Sequence, residues 1–454
     1  MDNIEVFSAK AKNHWSTLKR KTFFLSVNHE KALNILLMIA ILSIAINWIL
    51  QYKTIDGNLY LSYRISGQSE NDQPWLPPQF KYPSVPLLGV HHFGDWELMG
   101  DYARMREPYS AKLVMPAITP PVGLLITRIF TLGGIGIGYS LYLVVVIILL
   151  LQIIRNFRNT LSAMEKTILF ALTSVFSLPV IFAFDRGAVH LGAFILIGIA
   201  LERLNKAKEW PGLLCFLIAI SFKPYLIFFL ILPLALRKIR FVAKVIFATV
   251  LSNLFVLATL YTSNPFTGIK NYATSIVWYQ HLIEDNILRS VSGLSFLSKI
   301  VEIREGRTAA LRFYTHILPS YGFFTCLIFI AAIFISRKFQ APLELRVILL
   351  LAISSLLVSD SYSYTLTWSS IALIVWIKMM IQMEENGESL PSKKINLIIM
   401  TLLCSVMSPC FIVIAYSYPY GLYLLHDILY VPLIILLLTT FLWSYRKKPV
   451  RLQA

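Results

Sequence analysis

Apolar runs long enough to cross a hydrocarbon core of about 30 Å recur along the chain, at residues 32–50, 138–154, 167–184, 245–261, 321–336, 395–416 and 428–444. Shorter apolar runs fill the intervals. Basic clusters punctuate them at 10–31 (with Lys19, Arg20 and Lys21), 155–166, 203–208, 237–244, 337–338, 393–394 and 446–451. Positive charge in short loops marks the cytoplasmic side, so every second connection is expected outside and both termini inside. The first run is too long for a signal-peptide core and lacks a small-residue cleavage site, so it is expected to be a retained helix.

Residues 213–236 test this alternation, being one apolar run with basic clusters at both ends and Phe222-Lys223-Pro224-Tyr225 in its middle. A straight crossing breaks the charge rule. Proline interrupts the helical ladder and a mid-bilayer lysine is costly, which favours a hairpin of two short helices with Lys223 near its apex on the outer side. One kinked helix with a snorkelling lysine is the alternative. With the hairpin counted as two, an all-α polytopic membrane protein of about twelve crossings is expected.

The outer connections are unequal. Residues 51–136 form the longest, and its end, 115–131 (MPAITPPVGLLITRIFT), is a poor spanning helix because of Pro116, Pro120, Pro121 and Arg128. It suits a helix at the membrane surface with proline in its first turn. The second long outer loop, 262–319, carries Trp278, Tyr279 and His281 among polar residues. Both loops are expected to cover one face, where function concentrates. Neither an internal repeat nor a low-complexity linker divides the chain, so residues 1–454 are expected to form one membrane-embedded domain.

A composition of 57% hydrophobic, 13% aromatic and 14% charged residues fits no water-soluble globule. The formal charge of +17 would suit nucleic acid, but the basic residues stand in short clusters between spans and act as topology signals. Cys215, Cys326, Cys404 and Cys410 lie inside apolar runs without paired spacing, as small buried hydrophobes. The chain lacks a glycine-rich phosphate loop, a His-Glu-x-x-His and a serine nucleophile elbow, and it calls for no metal or cofactor.

The segment richest in chemistry is HHFGDWELMGDYAR, residues 91–104, which sets Asp95, Glu97 and Asp101 beside two histidines in the first outer loop. Downstream come Pro108-Tyr109, the three prolines of 115–131, Asp185-Arg186-Gly187 and the interrupted run at Lys223. In this order, on one side of the expected topology, these pieces resemble the C-type glycosyltransferases of the membrane. The likeness is to family eighty-seven, which includes polyprenyl-phosphate-mannose-dependent mannosyltransferases.

The resemblance implies a GT-C-like fold whose extracytoplasmic first loop carries juxtamembrane helices. It implies transfer of a hexose, mannose-like, from a polyprenyl-phosphate sugar to a glycolipid or glycan acceptor, with inversion. Asp95 matches the family's catalytic base; its other possible role is to cap a helix beginning at Trp96. Arg186 and Lys223 match basic positions and would hold the lipid phosphate, while Arg186 could instead pair with Asp185 or anchor the interface. Asp101, Asp185, His190, Tyr225, Tyr362 and Tyr364 are candidate substrate contacts. His190 stands where relatives often carry a small amide, and the tyrosines of 359–364 where they carry histidine, so packing and interface anchoring are equally open to them. Asp101 lies on a different helical face from Asp95, at about 100° per residue.

The longest cytoplasmic segment is expected to be the short N-terminus, an expectation that leaves no soluble domain for a nucleotide sugar and argues for a lipid-linked donor. Two other classes share the general pattern. A polysaccharide polymerase could use Arg186 with Arg289, Arg304 or Arg307, and a transporter of lipid-linked sugar could use Asp185, Lys223 and His190 as an intramembrane relay, with inverted repeats. The short loops and absent eukaryotic sorting signals suit a bacterial cytoplasmic membrane.

Overall fold

The computed structural model describes residues 37–38, 41–42, 94–110, 113, 116–155, 161–283, 293–338, 343–357, 366–385, 393–407, 413–417, 421–424, 431–432, 434–436 and 440. These residues are highly helical. In chain order the helices are α1 (Gly94–Arg104), α2 (Pro121–Phe130), α3 (Ile135–Arg155), α4 (Ala163–Thr173), α5 (Leu178–Arg186), α6 (His190–Asn205) and α7 (Glu209–Phe222). A 3-10 segment, Pro224–Leu230, leads into α8 (Ile231–Ala235) and α9 (Ile239–Val256), which ends in a π turn, Leu257–Tyr261. Then come α10 (Pro265–Ile283), α11 (Gly293–Glu305), α12 (Arg307–Lys338), α13 (Leu343–Leu357), α14 (Trp368–Glu385) and α15 (Lys393–Met407). An antiparallel hairpin, β1 (Val413–Ser417) with β2 (Gly421–Leu424), follows.

Among the described residues two helices are long and apolar enough to cross a membrane, Ile135–Arg155 and Ile239–Tyr261. Each has two apolar faces. In α3, Tyr139, Tyr142, Val146, Leu150 and Ile154 recur every three or four residues and are buried in protein, while Leu141, Val144, Ile148 and Leu151 are exposed. A continuous apolar outer face of this kind is poorly matched to water.

The main core joins α3, α6, α7, α13, α14 and α15 around Phe216, Trp368 and Trp376. A second cluster, with Tyr102, Tyr109, Leu124, Val256 and Tyr261, fastens α1 and α2 to the end of α9.

Several expected spans are divided. Residues 167–184 are two helices, α4 and α5, separated by a turn. Thr173 and Ser174 turn their hydroxyls back onto the carbonyls of Leu169 and Phe170, 2.7 and 2.5 Å away, and Pro179 opens the next helix. The described residues of 395–416 fall in α15 and β1. In the first expected outer connection, 51–136, the proline-rich helix starts at Pro121 rather than at 115, with proline at its first position. The second, 262–319, holds α10 and α11, and its last part already belongs to the 32-residue α12. The expected spans 32–50 and 428–444 lie mostly outside the described residues.

At Lys223 the chain turns back. Beside α7, α9 runs parallel: Lys244 pairs with Glu209 at 3.2 Å, Phe241 packs edge-on against Phe216 at 6.0 Å, and Asn253 reaches Ser221 at 3.3 Å. The Lys238 ammonium donates to Leu204 O at 3.1 Å, so residues 204–209 and 238–244 share one end and Lys223 marks the other. The outward arm, α7, is about 21 Å long, and the returning arm of 3-10 segment and α8 is similar. Both fall short of a full hydrocarbon core.

Candidate active site

Helix α1 carries Asp95 and Glu97 in its first turn and Arg104 in its last, the charge order that suits a helix dipole. The helix begins at Gly94, so Asp95 stands within its first turn rather than capping a helix that starts at Trp96. Both Asp95 and Glu97 are half-buried; Glu97 is more enclosed than a solvated surface acid.

Trp96 fixes the orientation of this turn. It is completely buried, with its ring 5.1 Å from Tyr142, 5.6 Å from Tyr139 and 6.0 Å from Phe130. The Tyr139 hydroxyl in turn donates to the carbonyl of Phe184, the residue before Asp185. Helix α1 also packs directly on α5. The backbone thereby brings the Asp95 turn to the end of α5, where Asp185 and Arg186 are the last residues. Gly187 follows at φ 70, the left-handed conformation that ends a helix and favours glycine, and Ala188 N–H closes the turn on Ala183 O at 2.8 Å.

The reversal at Gly187 starts α6 at His190, which is buried. Its ring lies nearly parallel to that of Tyr225, 6.4 Å away, and it feels the charge of Lys223. Lys223 occupies the break after α7 in extended conformation, φ −139 and ψ 97, its N–H bonded to Ala219 O at 2.9 Å. Proline at 224 prevents α7 from continuing.

Helix α2 is clamped against this break. A Cβ on Gly123 would stand 2.3 Å from Ser221 O, so only glycine lets the two backbones approach so closely. At the N-terminus of α2, Val122 N–H donates to Asn253 Oδ1 at 3.0 Å, while Asn253 Nδ2 donates to Thr249 O at 2.8 Å and Ser221 Oγ at 3.3 Å. One amide from α9 therefore ties α2 to α7 two residues before Lys223.

The geometry thus collects Asp95, Asp185, Arg186, His190, Lys223 and Tyr225 on neighbouring elements. Asp101 is set apart, about 120° around α1 from Asp95. Its carboxyl is half-buried, and burial raises it above the usual range while the Arg104 guanidinium opposes the shift. Arg104 itself donates to Thr131 O at 3.0 Å, locking the end of α1 to the end of α2. Tyr109 is buried with its hydroxyl on Thr119 O at 2.7 Å, and Tyr272, edge-on to it at 5.0 Å, is pushed up to about 12 by burial. Tyr362 and Tyr364 lie outside the described residues. No group of three or more His, Cys, Asp or Glu suited to a metal ion occurs among the described residues.

Sequence reasoning passed over Asn253, although a lone amide in the apolar run VLSNLFV is a readable signal. It also missed Lys299 and Glu302, both buried in α11. Comparison with protein-family models finds no match, and comparison with curated proteins finds none either.

Proposed function

We propose that this chain is a multi-pass glycosyltransferase of a bacterial cytoplasmic membrane, with a GT-C-like fold and about twelve crossings. It transfers a hexose from a polyprenyl-phosphate sugar to a glycolipid or glycan acceptor on the outer face. The observation that carries this reading is the convergence of elements. The α1 turn with Asp95 packs on the α5 end with Asp185 and Arg186, and the next helix starts at His190, beside Tyr225 and Lys223. A carboxylate-bearing helix turn packed on the helix that ends at Arg186, with the break at Lys223 nearby, supports sugar transfer from a lipid phosphate, which calls for a base and for cations to hold the leaving phosphate.

In this reading the acceptor hydroxyl oxygen attacks the anomeric carbon from the face opposite the phosphate. The bond from that carbon to the phosphate oxygen breaks, and the configuration inverts. Asp95 takes the hydroxyl proton, and the polyprenyl phosphate leaves with the bonding pair, its charge held by Arg186 and Lys223. A single carboxylate suffices, because phosphate needs stabilising charge more than a proton. His190 and Tyr225 wall the site next to Lys223.

Lys223→Met tests the phosphate assignment. A hydrogen bond to a charged group contributes about 1.5–3 kcal/mol, so donor affinity should fall by at least about tenfold with the protein still folded. Lys223→Arg should recover part of the loss. Unchanged affinity and turnover in Lys223→Met would show that the phosphate binds elsewhere.

A further inference from the structure

At the far end of α1 from Asp95, about 14 Å along the helix, the chain closes a cavity of about 130 Å³ between Glu107–Ser110 and the segment from Tyr261 to Asn271. Its back wall is aromatic. The hydroxyls of Tyr109 and Tyr261 are committed to Thr119 O at 2.7 Å and Ala103 O at 3.3 Å, which leaves their rings to line the space. The turn into α10 is equally fixed. Thr262 Oγ accepts Asn264 N–H at 3.1 Å, and Asn264 Oδ1 accepts the N–H groups of Phe266 and Thr267 at 3.0 and 3.4 Å. A π turn, Leu257–Tyr261, ends at this wall, and such turns recur at functional sites.

With these groups committed, the carboxylate of Glu107, the hydroxyls of Ser263 and Thr267 and the amides of Asn264 (its NH₂) and Asn271 make no side-chain hydrogen bond among the described residues. That lining excludes two ligand classes. It contains no lysine or arginine, so it does not suit phosphate, and one carboxylate is too few for a hard cation that collects six or more oxygens. Neutral hydroxyl and amide groups beside aromatic rings instead match a ring that is apolar on its faces and polar at its edge. The volume corresponds to about four water molecules at liquid density, the scale of a single six-membered ring.

We infer that this cavity is a saccharide subsite for a sugar of the acceptor remote from the reacting hydroxyl. The inference rests on the glycosyltransferase reading for the word acceptor, and on the cavity alone for the word saccharide. Glu107 and Asn271 are the polar contacts and Tyr109 and Tyr261 the walls. A subsite about 14 Å from Asp95 selects acceptors longer than one sugar.

The test uses the full chain in lipid nanodiscs with methyl glycosides of mannose, glucose, galactose and N-acetylglucosamine, read by saturation-transfer NMR. At least one glycoside should bind saturably. Glu107→Gln and Asn271→Ala should each weaken that binding tenfold or more, while Asp95→Asn and Lys223→Met leave it unchanged. Glu107 is exposed and its replacement nearly isosteric, so Glu107→Gln stays informative if Asn271→Ala fails to fold. Binding that persists undiminished in folded Glu107→Gln, or no saturable binding of any of the four to the unaltered chain, overturns the subsite. Glycoside binding with these sensitivities in a protein that transfers no sugar from polyprenyl-phosphate sugar upholds the cavity and rejects the transferase reading; sugar transfer without glycoside binding does the reverse.

Discussion

Replacing Asn253 by leucine removes three hydrogen bonds from the point where α2 meets α7 and α9. The variant loses the acceptor for Val122 N–H at 3.0 Å and the two bonds from Nδ2, to Thr249 O at 2.8 Å and Ser221 Oγ at 3.3 Å. Side-chain hydrogen bonds between membrane helices average about 0.6 kcal/mol. The Val122 N–H has no other acceptor among the described residues and would be left in a part-buried site, at a cost of about 1–3 kcal/mol. The added apolar area of leucine offsets part of this, because the position is only half-buried. Asn253→Leu should therefore lose about 2–3 kcal/mol.

Equilibrium denaturation in mixed micelles measures that loss, with Ser221→Ala as the companion. Ser221→Ala removes only the longest of the three bonds and should lose less than about 1 kcal/mol. In the double variant the Asn253–Ser221 contribution is lost only once, so its loss should be smaller than the sum of the two single-variant losses. Because α2 abuts Ser221, two residues before Lys223, Asn253→Leu should also weaken donor binding. An Asn253→Leu protein as stable as the unaltered chain would refute the clamp, and with it the argument that α2 positions the break at Lys223.

Burial raises the Asp101 carboxyl above its ordinary 3.8, so its ionised form opposes folding, and that cost disappears as pH falls through the raised value. Asp101→Asn should match or exceed the unaltered chain in stability at pH 7 and lose any advantage in acid below about pH 4, measured as unfolding midpoint against pH; an advantage that grows in acid would contradict this. Cysteines introduced at Asn205 and Arg237 should react with a membrane-impermeant thiol reagent from the same side of the membrane, because Lys238 bonds to Leu204 O and Lys244 to Glu209. Labelling from opposite sides would contradict the turn at Lys223.

The turn at Lys223 was legible because two independent signals coincided there, basic flanks of one sign and a Lys-Pro interruption. Pro121 at the start of α2 was legible for the same kind of reason, since proline at a first helical position has a fixed backbone preference. The division of 167–184 was not. Hydropathy registers Thr173, Ser174 and Ser177 as mild interruptions, whereas back-bonding hydroxyls beside Pro179 end one helix and begin another. Residues 262–319 read as a loop because their polar residues hide the helical period, yet α10 and α11 keep buried faces through Gly268, Ser275, Ser298 and Lys299. Of the site, Asp95 stood out by its charge. Its placement by Trp96 on Tyr139 and Tyr142 depends on contacts more than forty residues apart, which no local pattern records.

The central claim is that Asp95 removes the proton from an acceptor hydroxyl. Asp95→Asn preserves shape and most hydrogen bonding while abolishing the base, and loss of a general base slows reactions by about 10² to 10⁴. The decisive measurement is transfer of radiolabelled sugar from polyprenyl-phosphate sugar by purified, lipid-reconstituted protein, with Asp101→Asn alongside. Asp95→Asn should bind the lipid donor normally and lose transfer by that factor, while Asp101→Asn keeps most of it. Full transfer by Asp95→Asn, or a larger loss in Asp101→Asn, would contradict the assignment of the base and the resemblance on which it rests.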